Sequence, residues 1–277
     1  MTSADSAARS LDRAAEEYRT FVGPGEQYDV FSAMQFNLLT ALGLREHHTL
    51  LDIGCGSLRA GRLLIPYLRS GHYFGLEPER WLLEQGIRNE VSEALIALKR
   101  VTFAHDRDFR LTAFGRNFDY LIAQSVFSHV PAAQIDRCFA EAAEVMTPSS
   151  VFVASFFEGP EDYRGSATVV RAEFRFATIV ALAERHRLVC ERLAWPHPDG
   201  QQWLVIRREG GTFTVPPFGD HTRVANLERE LAACTRRLEK LERHPYVRLG
   251  MRLSRAGRWL GFLVRVFTRP LTQKPRR

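Results

Sequence analysis

The stretch LLDIGCGSLRAG, residues 50–61, places an acid two positions before a pair of glycines. Asp52 closes an apolar run, Gly54 and Gly56 follow with Cys55 between them, and a second acid, Glu77, closes the next apolar run, YFGLE, 25 residues on. A glycine turn after a strand lets backbone approach a ligand closely. A carboxylate at the end of the following strand is acceptor-only and can take both hydroxyls of a ribose. The pattern is that of a nucleotide site, but two phosphate versions fail on spacing. A dinucleotide loop, GxGxxG, needs glycine where Arg59 stands, and the GK[ST] of a phosphate-cradling loop is absent.

S-adenosylmethionine has no phosphate and different needs. Gly54 and Gly56 give close approach to its methionine part, Asp52 orients the loop near the positive amino group, and Glu77 holds the ribose diol. Cys55 reads as a small loop residue whose backbone faces the ligand. The acid at Glu77 would also suit NAD, so it does not decide the matter alone.

These residues need elements to hold them. Residues 4–21 read as a helix broken by GPG at 23–25, and a second helix runs from about Asp29 to Leu42. Strands and helices then alternate: strand HTLLDIG, helix 58–69, strand HYFGLE, helix 79–98, weak strand VTFAHD, strand FDYLIAQS, helix 132–146, strand SSVFVASFF, helix 171–186. Two last strands, RLVCERLAW and QWLVIRRE, flank PHPDGQ, read as a tight polar turn. A short turn joins only antiparallel strands. The expected fold is α/β, a doubly wound, mostly parallel seven-stranded sheet with an antiparallel final hairpin, followed by a C-terminal helical coiled coil and amphipathic tail.

At this point residues 28–208 resemble class I S-adenosylmethionine-dependent methyltransferases. LLDIGCGSLRAG resembles the first motif of that family, YFGLEP the second, FDYLIAQSVFSHV the fourth-strand motif and MTPSSVFVASFF the entry to the fifth strand. One departure is Leu58, where many members have a third glycine. The resemblance implies that Asp106 or Asp108 bonds the adenine amino group, that Phe109 packs on the ring, and that Gln124 sits close to the methionine part. It also places His129, just past the fourth strand, where active sites of the family open toward the acceptor. His129 could take a proton from an acceptor hydroxyl, since imidazole titrates near neutrality. Glu158, Asp162 and Tyr163 are candidates for the acceptor pocket, and Tyr28 and Phe31 for a lid helix or plain core.

Charge divides the chain. Residues from Thr222 onward hold 15 of the 38 Lys and Arg but 4 of the 32 Asp and Glu, a local net charge of +11 within a total of +6, leaving −5 on the body. Val224, Leu227, Leu231, Cys234, Leu238 and Leu241 form a short heptad seam, readable as a homodimer contact over 224–241. Beyond it, residues 244–277 contain no acid and set Arg248, Arg252 and Arg255 opposite an apolar stripe. Such a helix suits an anionic membrane surface, reached here through residues 246–267. The domain reading is therefore an N-terminal helical arm (1–27), a methyltransferase domain (28–215), a short coiled coil (222–243) and a basic amphipathic tail (244–277). Four scattered cysteines without a CxxC pair argue against zinc or a disulfide framework and fit a reducing cytosol, with the inner membrane face as a peripheral location. The expected acceptor is a small molecule, saccharide or lipid-linked intermediate. Nucleic acid methylation is the less favoured alternative, because the [DNS]PP[YFW] motif is missing and the body is acidic. A non-catalytic cofactor-binding scaffold and a nicotinamide oxidoreductase follow.

Overall fold

The computed structural model describes residues 18–217 and 223–243. The chain divides into two units between Pro217 and Phe218. In the first, a mixed sheet runs in the order β3-β2-β1-β4-β5-β8-β7, from β1 (Leu50–Ile53), β2 (Tyr73–Leu76), β3 (Thr102–Ala104), β4 (Phe118–Ala123), β5 (Met146–Glu158), β7 (Leu188–Leu193) and β8 (Gln202–Arg208). The strands β1 to β5 pair in parallel, and β8 inserts antiparallel between β5 and β7. A two-residue strand absent from the sequence reading, β6 (Glu173–Phe174), pairs with the end of β5.

Connections are helical: α1 (Tyr28–Ala41), α2 (Gly61–Tyr67), α3 (Arg80–Gly86), α4 (Glu93–Lys99), α5 (Ala132–Val145) and α6 (Phe176–Glu184). Every residue of β1 and β2 is buried, as a strand covered on both faces requires. Helix α5 buries Ile135, Cys138, Phe139 and Ala142 along one face against the sheet, so Cys138 is core. The sheet order reverses at β1, which lies between β2 and β4. A crevice opens at the carboxyl ends of strands at such a point.

Three expectations are corrected. The helix expected over 79–98 is broken into α3, a π-helical turn at Ile87–Val91, and α4. The break falls at Ser92, whose φ is +89° and whose hydroxyl accepts the Leu95 N–H at 3.3 Å. The helix expected from 171 starts at Phe176, because Val169 and Ala172 instead donate to the carbonyls of His129 and Ser128 at 2.8 and 2.7 Å. The tight turn of the last hairpin is an ordered loop over residues 194–201, and Gln201 at its end is buried. Of the helix expected over 4–21, residues 18–21 are described and helical.

The second unit contributes α7 (Arg223–Arg243), which carries the heptad seam with Leu227, Leu231, Cys234 and Leu238 exposed. The side chains of Val224 and Leu241 and the whole of 244–277 lie outside the described residues. Among the described residues no helix is long and apolar enough to cross a membrane.

Candidate active site

The carboxyl ends of β1, β2, β4 and β5 meet at a cleft of about 540 Å³. Asp52, Gly54, Cys55, Gly56, Glu77, Gln124 and His129 all line it, so the structure brings together seven of the nine residues singled out as candidates. Asp106 and Asp108 do not. Asp106 accepts the backbone N–H groups of Asp108 and Arg110 and pairs with the Arg110 guanidinium at 2.6 Å, which closes the turn after β3. Phe109 is packed into the core rather than left for a ring. Glu158, Asp162 and Tyr163 are likewise absent from the lining. Glu158 pairs with Arg192, Asp162 with Arg175 and Thr178, and the Tyr163 hydroxyl donates to the Ala167 carbonyl.

The glycine loop is built by its own hydrogen bonds. The N–H groups of Gly54 and Cys55 donate to the Leu76 carbonyl at 2.8 and 3.1 Å, and the Gly56 N–H donates to Glu77 Oε2 at 2.9 Å. All three donors that a phosphate would seek are thus turned toward β2. Gly54 and Gly56 hold φ values of +69° and +56°, and a Cβ would come within 2.7 Å of Val126 and 3.0 Å of Val22 respectively. Leu58 also holds a left-handed φ of +60° and is fully buried. Burial of the leucine offsets the strain of that conformation.

Glu77 takes the Gly56 N–H on one oxygen and the Glu79 N–H, at 2.8 Å, on the other. Each oxygen keeps a second acceptor direction. Burial raises its pKa. Asp52 is buried, and the Tyr73 hydroxyl donates to its Oδ2 at 2.6 Å. Desolvation pushes the Asp52 pKa up to about 6 in spite of that bond. Burial among the same acids raises the Cys55 thiol well above its usual range, which leaves it protonated and inert.

Helix α1 reaches the cleft through Gln35. Tyr28 and Phe31 are buried, and the Tyr28 hydroxyl donates to the Ser57 carbonyl at 3.0 Å. The segment before it forms a wall, with Thr20, Phe21, Val22 and Gly23 all lining the cleft. That wall is anchored at Glu90, a nearly buried carboxylate that receives Tyr18, Arg19 and Arg62 at 2.6, 2.6 and 3.1 Å.

Sequence reasoning missed a polar chain across the cleft floor. Arg59, read there only as a missing glycine, is buried and donates to the Val22 carbonyl at 2.6 Å and to Gln124 Oε1. Gln124 donates in turn to Ser125 and to His197 Nε2. Ser125 Oγ accepts from Gln201, whose amide oxygen accepts from Ser155 at 2.8 Å. Burial lowers the His197 pKa to about 4, so that imidazole is neutral. The signals were a cation inside an otherwise buried turn and two polar residues in what looked like a surface loop.

His129 lines the cleft. Its Nδ1 lies 3.1 Å from the Val169 carbonyl. A carbonyl only accepts, so Nδ1 carries the proton and Nε2 is left as the basic nitrogen. Beside it the cleft is bounded by Phe157, Val170 and Arg171, and Val170 is 91 % exposed. Among the described residues no cluster of His, Cys, Asp and Glu could hold a metal ion.

Residues 51–152 match the family model described as a methyltransferase domain. Solved structures share the fold. DesVI of Streptomyces venezuelae matches with a TM-score of 0.53 and 19 % identity, over 71 % of this chain and 98 % of that one. An S-adenosylmethionine-dependent methyltransferase of Clostridium acetobutylicum matches at 0.53 and 10 %, over 73 % and 100 %. Magnesium protoporphyrin IX methyltransferase of Synechocystis with bound SAM matches at 0.51 and 17 %, over 72 % and 91 %.

Proposed function

We propose, from the premise that this chain carries a class I S-adenosylmethionine-dependent methyltransferase domain, that it moves the sulfonium methyl group onto a hydroxyl of a small-molecule or saccharide acceptor entering beside His129. The observation that carries the reading is the inward-turned glycine loop. A site whose loop N–H groups are already spent on Leu76 and Glu77 is suited to a cofactor without phosphate.

The cofactor supplies an activated methyl group on a positive sulfur, so the residues mainly position and exclude water. Glu77 receives the ribose hydroxyls on its free acceptor directions. Asp52 faces the ammonium group. His129 would take the acceptor's hydroxyl proton at Nε2 as the oxygen receives the methyl group that the cofactor supplies. Residues 244–277, with nine Arg and Lys and no acid, hold the enzyme against an anionic membrane surface where a lipid-linked acceptor would lie, and the seam of α7 pairs two copies. The test is calorimetric titration of the full chain with S-adenosylmethionine, with NAD as control. Saturable binding of the first alone is expected. Binding of NAD, or of neither by folded protein, would overturn the reading.

A further inference from the structure

Arg59 is the cation in the cleft that the proposed chemistry leaves unexplained. It is 7 % exposed, and among the described residues no carboxylate lies within ion-pair distance of it. The other arginine on the cleft lining behaves differently: Arg171 pairs with Glu173 at 2.7 Å. A guanidinium offers five N–H donors. The two bonds Arg59 makes go to neutral acceptors, the Val22 carbonyl and the Gln124 amide, and its Cζ lies 4.6 Å from the Phe31 ring centroid. Burying a charge in such company costs several kcal/mol unless an anion arrives. The cost is visible in its acidity: desolvation pulls the Arg59 pKa down to about 10.

The cleft holds a complementary orphan. Asp52 is a buried carboxylate whose described partner is the neutral hydroxyl of Tyr73. Arg59 feels the charges of Asp199 and Asp52, both on the cleft lining, and forms an ion pair with neither; of the two, Asp52 is the buried one. A cation and a carboxylate held apart on the floor of one cleft match the two ends of an α-amino acid zwitterion. Gly23 passes beside the cationic end, where an added Cβ would lie 3.2 Å from Arg59 Nη1.

Resting on the proposed function, we infer that Arg59 is the receptor for the α-carboxylate of the cofactor's methionine moiety. Gln124 and the Val22 carbonyl fix the guanidinium, and the carboxylate takes its remaining N–H groups. The position where a dinucleotide loop has glycine is in this chain the position that reads the amino-acid end of the ligand.

The test compares S-adenosylmethionine with decarboxylated S-adenosylmethionine, which lacks only the carboxylate, by calorimetry on the full chain and on Arg59→Met and Arg59→Lys. Wild type is expected to prefer the carboxylate form about 100-fold, the strength of a charge-assisted contact. Arg59→Met should bind both ligands alike, at the wild-type affinity for the decarboxylated one, and Arg59→Lys should recover part of the preference. Equal affinities in wild type would overturn the inference, as would an Arg59→Met that keeps the preference. An Arg59→Met that loses both ligands together would assign Arg59 a purely structural role, and Arg59→Lys would then retain an unchanged preference. Wild type that binds neither ligand would overturn the proposed function, and the inference with it.

Discussion

Replacing Asp52 by asparagine should make the empty protein more stable and the cofactor weaker. In the fold, the Asp52 pKa stands at about 6 against 3.8 for the ordinary side chain, because its carboxylate is buried, with the Tyr73 hydroxyl as its hydrogen-bond donor among the described residues and Glu77 nearby. The sign follows from linkage. Between about pH 4 and 6 the folded state binds more protons than the unfolded chain, so stability falls as pH rises through that window. The loss is complete above pH 6. A shift of this size corresponds to roughly 3 kcal/mol at neutral pH. Asparagine keeps an oxygen for Tyr73 and carries no charge. At pH 7.5 the ligand-free variant should therefore melt several degrees above wild type, since about 1 kcal/mol moves the midpoint of a domain this size by roughly 2–4 °C. Below pH 4 the two should melt together. Calorimetric scans from pH 3.5 to 8 read both limits. In wild type the affinity for S-adenosylmethionine should also fall roughly tenfold from pH 7.5 to 5, as the carboxylate facing the ammonium is protonated. A variant that melts below wild type at pH 7.5 would refute the reasoning, because Asp52 would then be a net stabilising hydrogen-bond partner.

Glu77→Ala removes the acceptor of the Gly56 and Glu79 N–H groups as well as the proposed ribose contact, and should weaken S-adenosylmethionine about 100-fold or more in titration; unchanged affinity would end its ribose role. His129→Ala should leave cofactor affinity alone and slow turnover on the identified acceptor by roughly 10²-fold or more, and equal turnover would remove it as a base. Leu58→Gly relieves a left-handed φ worth roughly 1–2 kcal/mol but deletes a fully buried side chain worth roughly 2–5. Urea unfolding should therefore show a net loss of about 2 kcal/mol, whereas a stabilised variant would mean that strain outweighs packing there.

The sheet was legible because its signals are local. Apolar runs ending in Asp52 and Glu77, and the alternation with amphipathic helices, specify parallel strands without tertiary information. The site was legible only where it lies on those strand ends. Asp106 and Asp108 were carried over from the family resemblance, but a resemblance does not say which way a turn folds, and Asp106 turned inward to its own backbone. Arg59, His197 and Gln201 were invisible for the opposite reason. Their roles depend on segments far apart in sequence meeting over one cleft, and residue type alone reads them as surface. The helix break at Ser92 depends likewise on a left-handed turn that no periodicity announces.

The hydrogen-bonded chain from Arg59 through Gln124 and Ser125 to Gln201 joins the cofactor end of the cleft to the loop between β7 and β8. Whatever fixes one end of that chain restricts the other. Two ligands that met it at opposite ends would be linked through it, and such linkage is reciprocal: whatever factor one changes in the other's affinity is returned unchanged.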